Sequence, residues 1–181
     1  MLIAFLGCAR KSGDLLGIPE LHLTDLEGKT VKALPPTGPE AAVFIFVGAD
    51  CPISNLYAPE ILRLRERNSR DAFWIVYPGT RFSVEQQRTH LADHFQGCAA
   101  LRDPEFRLAK ASQVKITPEA AVFTAAKGLV YHGRIDDRFV DFGVQRPAPT
   151  RRDLQAALDA VARGMEPPVP SAPAVGCPLA N

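Results

Sequence analysis

Residues 41–47 read Ala-Ala-Val-Phe-Ile-Phe-Val, an unbroken apolar run rich in β-branched and aromatic side chains. A run this short and without polar alternation suits a strand buried on both faces, the central position of a sheet covered by helices. A second run of the same kind, Ala72–Tyr77 (Ala-Phe-Trp-Ile-Val-Tyr), follows about one helix-length later. Between the two, Pro52–Asn68 carries Ile53, Leu56, Tyr57, Ile61, Leu62 and Leu64 at helical spacing, with charges gathered after Pro59. That is a helix with one apolar face. Strand, helix, strand in this order gives a parallel pair of buried strands.

The rest of the chain extends the pattern. Ser83 and Gln86 have capping-box spacing and open a segment running to Phe95, and Asp103-Pro104-Glu105 places a cap and a first-turn proline before a short helix, Phe106–Gln113. A short strand lies at Ala99–Leu101 and a smaller one near Glu20–Thr24. Ala120–Phe123 and Leu129–Gly133 are joined by a turn containing Gly128 and form a hairpin. Thr150 is the expected cap of a last helix, with Asp153 in its first turn and Gly164 at its end. Arg134–Pro149 reads as a long loop, with Asp136-Asp137 as a solvated turn inside it. The fold class expected is α/β with a central mixed sheet flanked by helices in three layers.

The chain has 181 residues, enough for one domain plus tails. It carries 21 basic and 20 acidic residues, a balance that gives no electrostatic bias toward nucleic acid or an anionic membrane. Prolines 167, 168, 170, 173 and 178 crowd the end, so residues 166–181 are expected to be an extended, mobile tail beyond a domain at 15–165. Residues 1–14 resemble a truncated lipoprotein signal, an apolar run ending in Gly7-Cys8 with Cys8 as the residue that would carry a lipid anchor. This favours an extracytoplasmic location, periplasmic or membrane-anchored.

Cys8, Cys51, Cys98 and Cys177 are too far apart in sequence for a zinc knuckle. His90 and His94 would share a helix face, but no metal motif accompanies them, and they read as a solvated or core-edge pair. No metal and no cofactor is expected. The chemistry falls on Cys51, which follows the buried strand after the turn Gly48-Ala49-Asp50 and precedes a proline suited to the first helical position. A sulfur there faces unpaired backbone N–H groups and the positive end of the helix dipole, which favour thiolate over thiol. Ser54, on the first turn, is placed to donate a hydrogen bond to that thiolate. Thr117-Pro118 precedes the hairpin, as an X-Pro bond in a tight turn before a strand facing the site would.

Taken together, the segment Phe44–Leu62 with Cys51, Pro52 and Pro59, the later Thr117-Pro118, and the closing hairpin and helix resemble the thioredoxin-like superfamily. The similarity is to its redoxin branch, the alkyl hydroperoxide reductase and thiol-specific antioxidant domains and the extracytoplasmic thiol-disulfide reductases. It covers residues 15–165. It implies a cis-proline loop at Thr117-Pro118 beside an active Cys51, a thiol oxidoreductase acting on protein disulfides or small peroxides, and an external thiol reductant.

Two departures matter. The run Cys51-Pro52-Ile53-Ser54 ends in serine where the thioredoxin motif has a second cysteine, so a disulfide within the motif cannot form. Gly48 and Phe44 stand where typical peroxiredoxins carry Thr or Ser and Pro. A single thiolate still supports mixed-disulfide chemistry or oxidation to a sulfenic acid that another thiol resolves. Cys177, on the tail, is the candidate for that second thiol, and Cys98 is the less favoured one. Arg102 and Arg134 are candidates to stabilise the thiolate, and Glu119 to relay protons. The rival reading is a redox-inactive thioredoxin-like binding module, or a metal-handling protein that holds copper through Cys51 and Cys177. A Cys51 sealed in the interior, or remote from Pro118, would contradict the enzymatic reading.

Overall fold

The computed structural model describes residues 23–31 and 41–179. The expected signal-like segment 1–14 and Cys8 lie outside these residues. In chain order the elements are β1 (Leu23–Asp25), β2 (Thr30–Val31), β3 (Ala41–Phe46), α1 (Pro52–Arg67), β4 (Ala72–Pro78), α2 (Val84–His94), β5 (Ala99–Asp103) and α3 (Arg107–Ala111). They continue with β6 (Ile116–Thr117), β7 (Glu119–Thr124), β8 (Gly128–Gly133), β9 (Phe139–Asp141), β10 (Val144–Gln145), α4 (Asp153–Ala162), β11 (Ser171–Ala172) and β12 (Cys177–Pro178).

The apolar run at 41–47 is the middle of the protein, as its composition requires. Every residue of β3 is buried. It pairs parallel with β4, Ala42 opposite Ala72, and antiparallel with β7, Ala41 opposite Thr124. The sheet runs β11-β8-β7-β3-β4-β5-β1-β2, with parallel and antiparallel neighbours mixed. Alternation along β3 divides the core in two. Val43 and Ile45 pack with Ile53, Tyr57, Ile61 and Leu64 of α1 and with Leu154, Leu158 and Val161 of α4. Phe44 and Phe46 face the other way, with Leu101, Leu108, Val114 and Phe123. Helices thus cover both faces, the three-layer mixed α/β architecture expected.

Local signals place several boundaries well. The Ser83–Gln86 capping box is present in both directions. Pro52 opens α1, and Pro59 lies on its exposed side, where its missing N–H leaves the Asn55 carbonyl without the usual helical donor while the helix runs on to Arg67. Other expectations need correction. The helix expected at Phe106–Gln113 is shorter, because Phe106 sits in the left-handed region at φ 56° and the Asp103 carboxylate reaches past it to the N–H groups of Leu108 and Ala109. Thr150 does not cap α4. Arg152 is its N-cap residue, and the Thr150 N–H and hydroxyl donate instead to Asp137.

The largest revisions concern the loop and the tail. Arg134–Pro149 contains a hairpin, β9 against β10, turned at Gly143. Asp136 and Asp137 are not a solvated turn, being only 1% and 4% exposed. Asp136 accepts from the Tyr57 hydroxyl (2.6 Å) and the Arg138 N–H (2.9 Å), and Asp137 from the N–H groups of Thr150 (2.7 Å) and Arg151 (2.9 Å). The two carboxylates tie the loop to α1 and to the approach to α4. The C-terminal residues are extended but not loose. β11 lies parallel to β8, with Ala172 opposite Gly133, and β12 pairs antiparallel with β6, Cys177 opposite Thr117 and Pro178 opposite Ile116.

Candidate functional site

The end of β3 and the start of α1 bring Cys51 to the helix N-cap, with φ −84° and ψ 109°, and Pro52 as the first helical residue. Across from it, the Thr117–Pro118 peptide bond is cis. The Cys51 Sγ lies 3.1 Å from the Thr117 carbonyl oxygen, to which the thiol donates. The two segments meet closely because position 48 has no side chain: a Cβ built on Gly48 would stand 3.0 Å from Thr117 Oγ1 and 3.1 Å from Cys51 Cβ.

Cys177 completes the cluster. Gly176 passes so near the turn that a Cβ there would fall 2.1 Å from the Thr117 carbonyl oxygen, a separation no side chain tolerates. The next residue, Cys177, is thereby delivered to Cys51, with the Thr117 hydroxyl donating to the Cys177 carbonyl at 3.5 Å and Leu179 N–H donating to Lys115 O at 3.1 Å. Val175 and Cys177 pack against the core cluster that contains Cys51. Cys51 itself is 0% exposed. It is close to Pro118, as the resemblance implies, but it is sealed from solvent, which contradicts an enzymatic reading of this conformation as it stands; Cys51 becomes reachable only if its cover moves, and β12 is part of that cover.

The two thiols respond differently to this burial. At Cys51 desolvation pushes the thiol up, but it is outweighed by hydrogen bonding from the Cys177 thiol, from the Ser54 hydroxyl and N–H, and from the Cys177 N–H, so the net shift is downward. Cys51 makes no side-chain cap bond to the first turn of α1. Gly48 N–H donates to Ser54 Oγ at 3.3 Å, which leaves the hydroxyl proton free to turn to the sulfur. At Cys177 burial, the Cys51 sulfur and the nearby Asp50 carboxylate all push up, to about 12, with Arg81 opposing. Arg81 and Asp50 form an ion pair at 2.7 Å on this rim. One proton is therefore shared unequally: Cys51 gives it up first and Cys177 holds it. Two thiols so placed can be joined as a disulfide with loss of two electrons and two protons.

Of the residues singled out by sequence, Cys51, Ser54, Thr117, Pro118 and Cys177 come together. Cys98 stands apart, half-buried, with its thiol pushed up by burial. Arg134 is engaged with Asp153 at 2.7 Å, Arg102 lies on β5, and neither acts on the sulfur of Cys51. Glu119, the candidate proton relay, acts as a clamp: it is buried, and its Oε2 accepts from the N–H groups of Lys115 (2.9 Å) and Ile116 (3.3 Å), holding the strand on which the tail docks. His90 is buried and bridged, Nδ1 to the Tyr77 hydroxyl (2.9 Å) and Nε2 to Asn55 Oδ1 (2.8 Å), with burial holding its pKa down at about 4. Among the described residues no group of three or more His, Cys, Asp or Glu converges as a metal site would require. Gly48 and Gly176 were missed by sequence reasoning. Their only local signal is that each lies within three residues of a site cysteine.

No protein-family model matches the chain, and no curated protein does. Solved structures do. An uncharacterised conserved protein from Geobacillus kaustophilus superposes with a TM-score of 0.72 at 23% identity, covering 89% of this chain and 88% of that one. A secreted Mycobacterium tuberculosis disulfide oxidoreductase homologous to Escherichia coli DsbE gives 0.52 at 16% identity, over 78% and 93% of the two chains. A thioredoxin-like protein from Aeropyrum pernix gives 0.53 at 16% identity, over 61% and 78%. The fold is thioredoxin-like.

Proposed function

We propose that the protein is a thiol-disulfide oxidoreductase that reduces disulfides of protein substrates, with Cys51 as nucleophile and Cys177 as resolving thiol. The observation that carries this reading is geometric: Cys51 stands at the N-cap of α1 with its Sγ 3.1 Å from the Thr117 carbonyl, and a second cysteine, Cys177, lies opposite that same Thr117. The likeness in fold to a secreted disulfide oxidoreductase supports it.

The Cys51 thiolate attacks one sulfur of the substrate disulfide, forming a mixed disulfide and releasing the other sulfur as a thiolate. Cys177 then loses its proton and attacks the Cys51 sulfur. A Cys51–Cys177 disulfide forms, and the second substrate thiol leaves. The substrate gains two electrons and the protein loses them, and an external dithiol reductant restores the pair by the same exchange in reverse. A cysteine in the C-terminal strand thus takes the part that Ser54 cannot play. Ser54 contributes hydrogen bonds that favour the thiolate, and Thr117 and Pro118 form the wall against which the substrate sulfur is presented. We place this chemistry outside the cytoplasm, where protein disulfides persist. The Mycobacterium tuberculosis neighbour is secreted. Among the described residues no helix is long and apolar enough to cross a membrane.

The test is turnover of a peptide disulfide in the presence of dithiol reductant. Cys51→Ser is expected to abolish it. Cys177→Ser, mixed with the peptide disulfide without reductant, is expected to halt after the first exchange, so that acid quenching followed by mass measurement finds the substrate peptide bound to Cys51. Full turnover by Cys51→Ser, or a trapped peptide on Cys98, would overturn the assignment.

A further inference from the structure

Cys51 cannot be attacked, or attack anything outside the chain, while its exposure is zero. Something must move, and the candidates differ greatly in how firmly they are held. The sheet and α1 are anchored by the continuous core around Val43, Ile45, Ile53 and Ile61. The segment 173–179 is not. Only Gly176 in it is buried; Val175, Cys177 and Leu179 rest half-buried against the rim of the core, and its hydrogen bonds are the two-residue β12 pairing, the Leu179–Lys115 bond and the long Thr117–Cys177 contact. Upstream it is secured separately, by β11 against β8, where a Cβ on Gly133 would fall 2.2 Å from the Ala172 carbonyl.

We propose that residues 173–179 are an intramolecular strap that occupies the strand-addition edge of β6, so that exchange with an outside protein disulfide proceeds only when the strap lifts about its anchor at Ser171–Ala172. The inference rests on the thiol-exchange reading above and adds that the site is gated by the chain's own segment 173–179. An incoming polypeptide carrying a disulfide needs the same two things the strap takes: the free edge of Ile116–Thr117 and the space above the Cys51 sulfur. The strap offers Gly-Cys-Pro in extended form, its cysteine opposite Thr117, and so competes as a substrate would. Segments with few buried apolar contacts and short hydrogen-bonded runs open at low free-energy cost, well below global unfolding. After the first exchange the same segment returns with Cys177 and resolves the mixed disulfide. The oxidised protein then has its strap bonded shut, and admits no second substrate until the external reductant cuts the bond.

The experiment measures the rate at which Cys51 forms a mixed disulfide with a cysteine peptide activated by a coloured leaving thiol, beside its alkylation by iodoacetamide. All proteins carry Cys8→Ser and Cys98→Ser. Cys177→Ser retains the strap without its sulfur; Cys177→Ser with Gly176→Val cannot dock because of the Thr117 carbonyl; a chain ending at Ala172 has no strap. Reaction with the peptide is expected to be at least about tenfold faster in the last two than in Cys177→Ser, because rate follows the fraction of open molecules. The gain for iodoacetamide, which needs less room, is expected to be smaller. Equal peptide rates in all three overturn the strap and leave the thiol-exchange reading standing, whereas a Cys51 silent in every variant removes both. Hydrogen exchange on the unaltered protein provides a check independent of any substitution: amides of residues 174–179 are expected to exchange faster than those of β3, and core-like protection there would overturn the proposal.

Discussion

Gly48 is the narrowest point of the site. Its replacement by alanine sets a methyl group 3.0 Å from Thr117 Oγ1 and 3.1 Å from Cys51 Cβ, and neither neighbour can retreat far, one being fixed by the turn at Pro118 and the other by α1. Gly48→Ala is expected to destabilise the fold by about 1–3 kcal/mol, the usual cost of overpacking, and to lengthen the 3.1 Å contact between Cys51 and Thr117. Urea unfolding measures the first. Ser54→Ala acts on charge rather than space. It removes a hydroxyl that favours the ionised Cys51, so the midpoint of the alkylation rate against pH is expected to rise. An unchanged midpoint would show that the Ser54 hydroxyl does not act on the sulfur. At this scale Cys51 was readable from sequence, because the residues that fix its place are its neighbours: a buried strand before it and a proline after. Gly176 was not, because what it avoids is a carbonyl almost sixty residues away, and nothing near it in sequence encodes that approach.

Elements show the same division between local and distant causes. β3, β4 and α1 follow from apolar runs and a helical stripe, and the start of α2 from its Ser83–Gln86 box, all of which act within one turn or one strand. The hairpin of β9 and β10 and the start of α4 could not be read this way. Asp136 and Asp137 are acidic and follow Arg134, the composition of a solvated turn, and only the tertiary structure supplies the Tyr57 hydroxyl and the 150–151 backbone that bury them. Burial alone would raise the Asp137 carboxyl, but the Thr150 hydroxyl and the N–H groups of Arg151 and Thr150 outweigh it and hold the pKa down at about 2. An aspartate in an unfolded chain titrates near 3.9. The folded form therefore binds the proton less readily, so Asp137 contributes stability that is fully present above about pH 4 and is lost as pH falls toward about 2. Asp137→Asn leaves one amide where a charge accepted several donors, and is expected to cost about 1–3 kcal/mol at neutral pH. It is also expected to flatten the acid side of the stability curve, which thermal unfolding across pH 2–6 would show. A mutant with the same acid dependence as the parent would mean that other carboxylates dominate that limb.

On the scale of the whole molecule, the Cys51–Cys177 pair joins the start of α1 to β12, so a bond between them closes a loop spanning most of the domain. Cross-linking residues that far apart restricts the unfolded chain far more than the folded one, and the loop-entropy relation gives an upper bound of about 4–5 kcal/mol. Because Cys177 already lies opposite Thr117, whose carbonyl accepts from the Cys51 thiol at 3.1 Å, little of this is expected to be lost in rearranging the native state. The oxidised protein should therefore unfold at higher urea concentration than the reduced one in a background of Cys8→Ser and Cys98→Ser. The Cys177→Ser variant should behave like the reduced form under both conditions. Stability and redox behaviour are linked here through one cycle: whatever the disulfide adds to folding stability also makes it harder to reduce, so the oxidised strap is held closed by the same free energy that separates the two unfolding curves. Titration against a glutathione buffer series would give the reduction potential of the folded pair. If oxidised and reduced proteins unfold together, the folded pair must be as reducible as an unconstrained disulfide in the unfolded chain, and the strap would then be released by reductant as easily as any exposed bond.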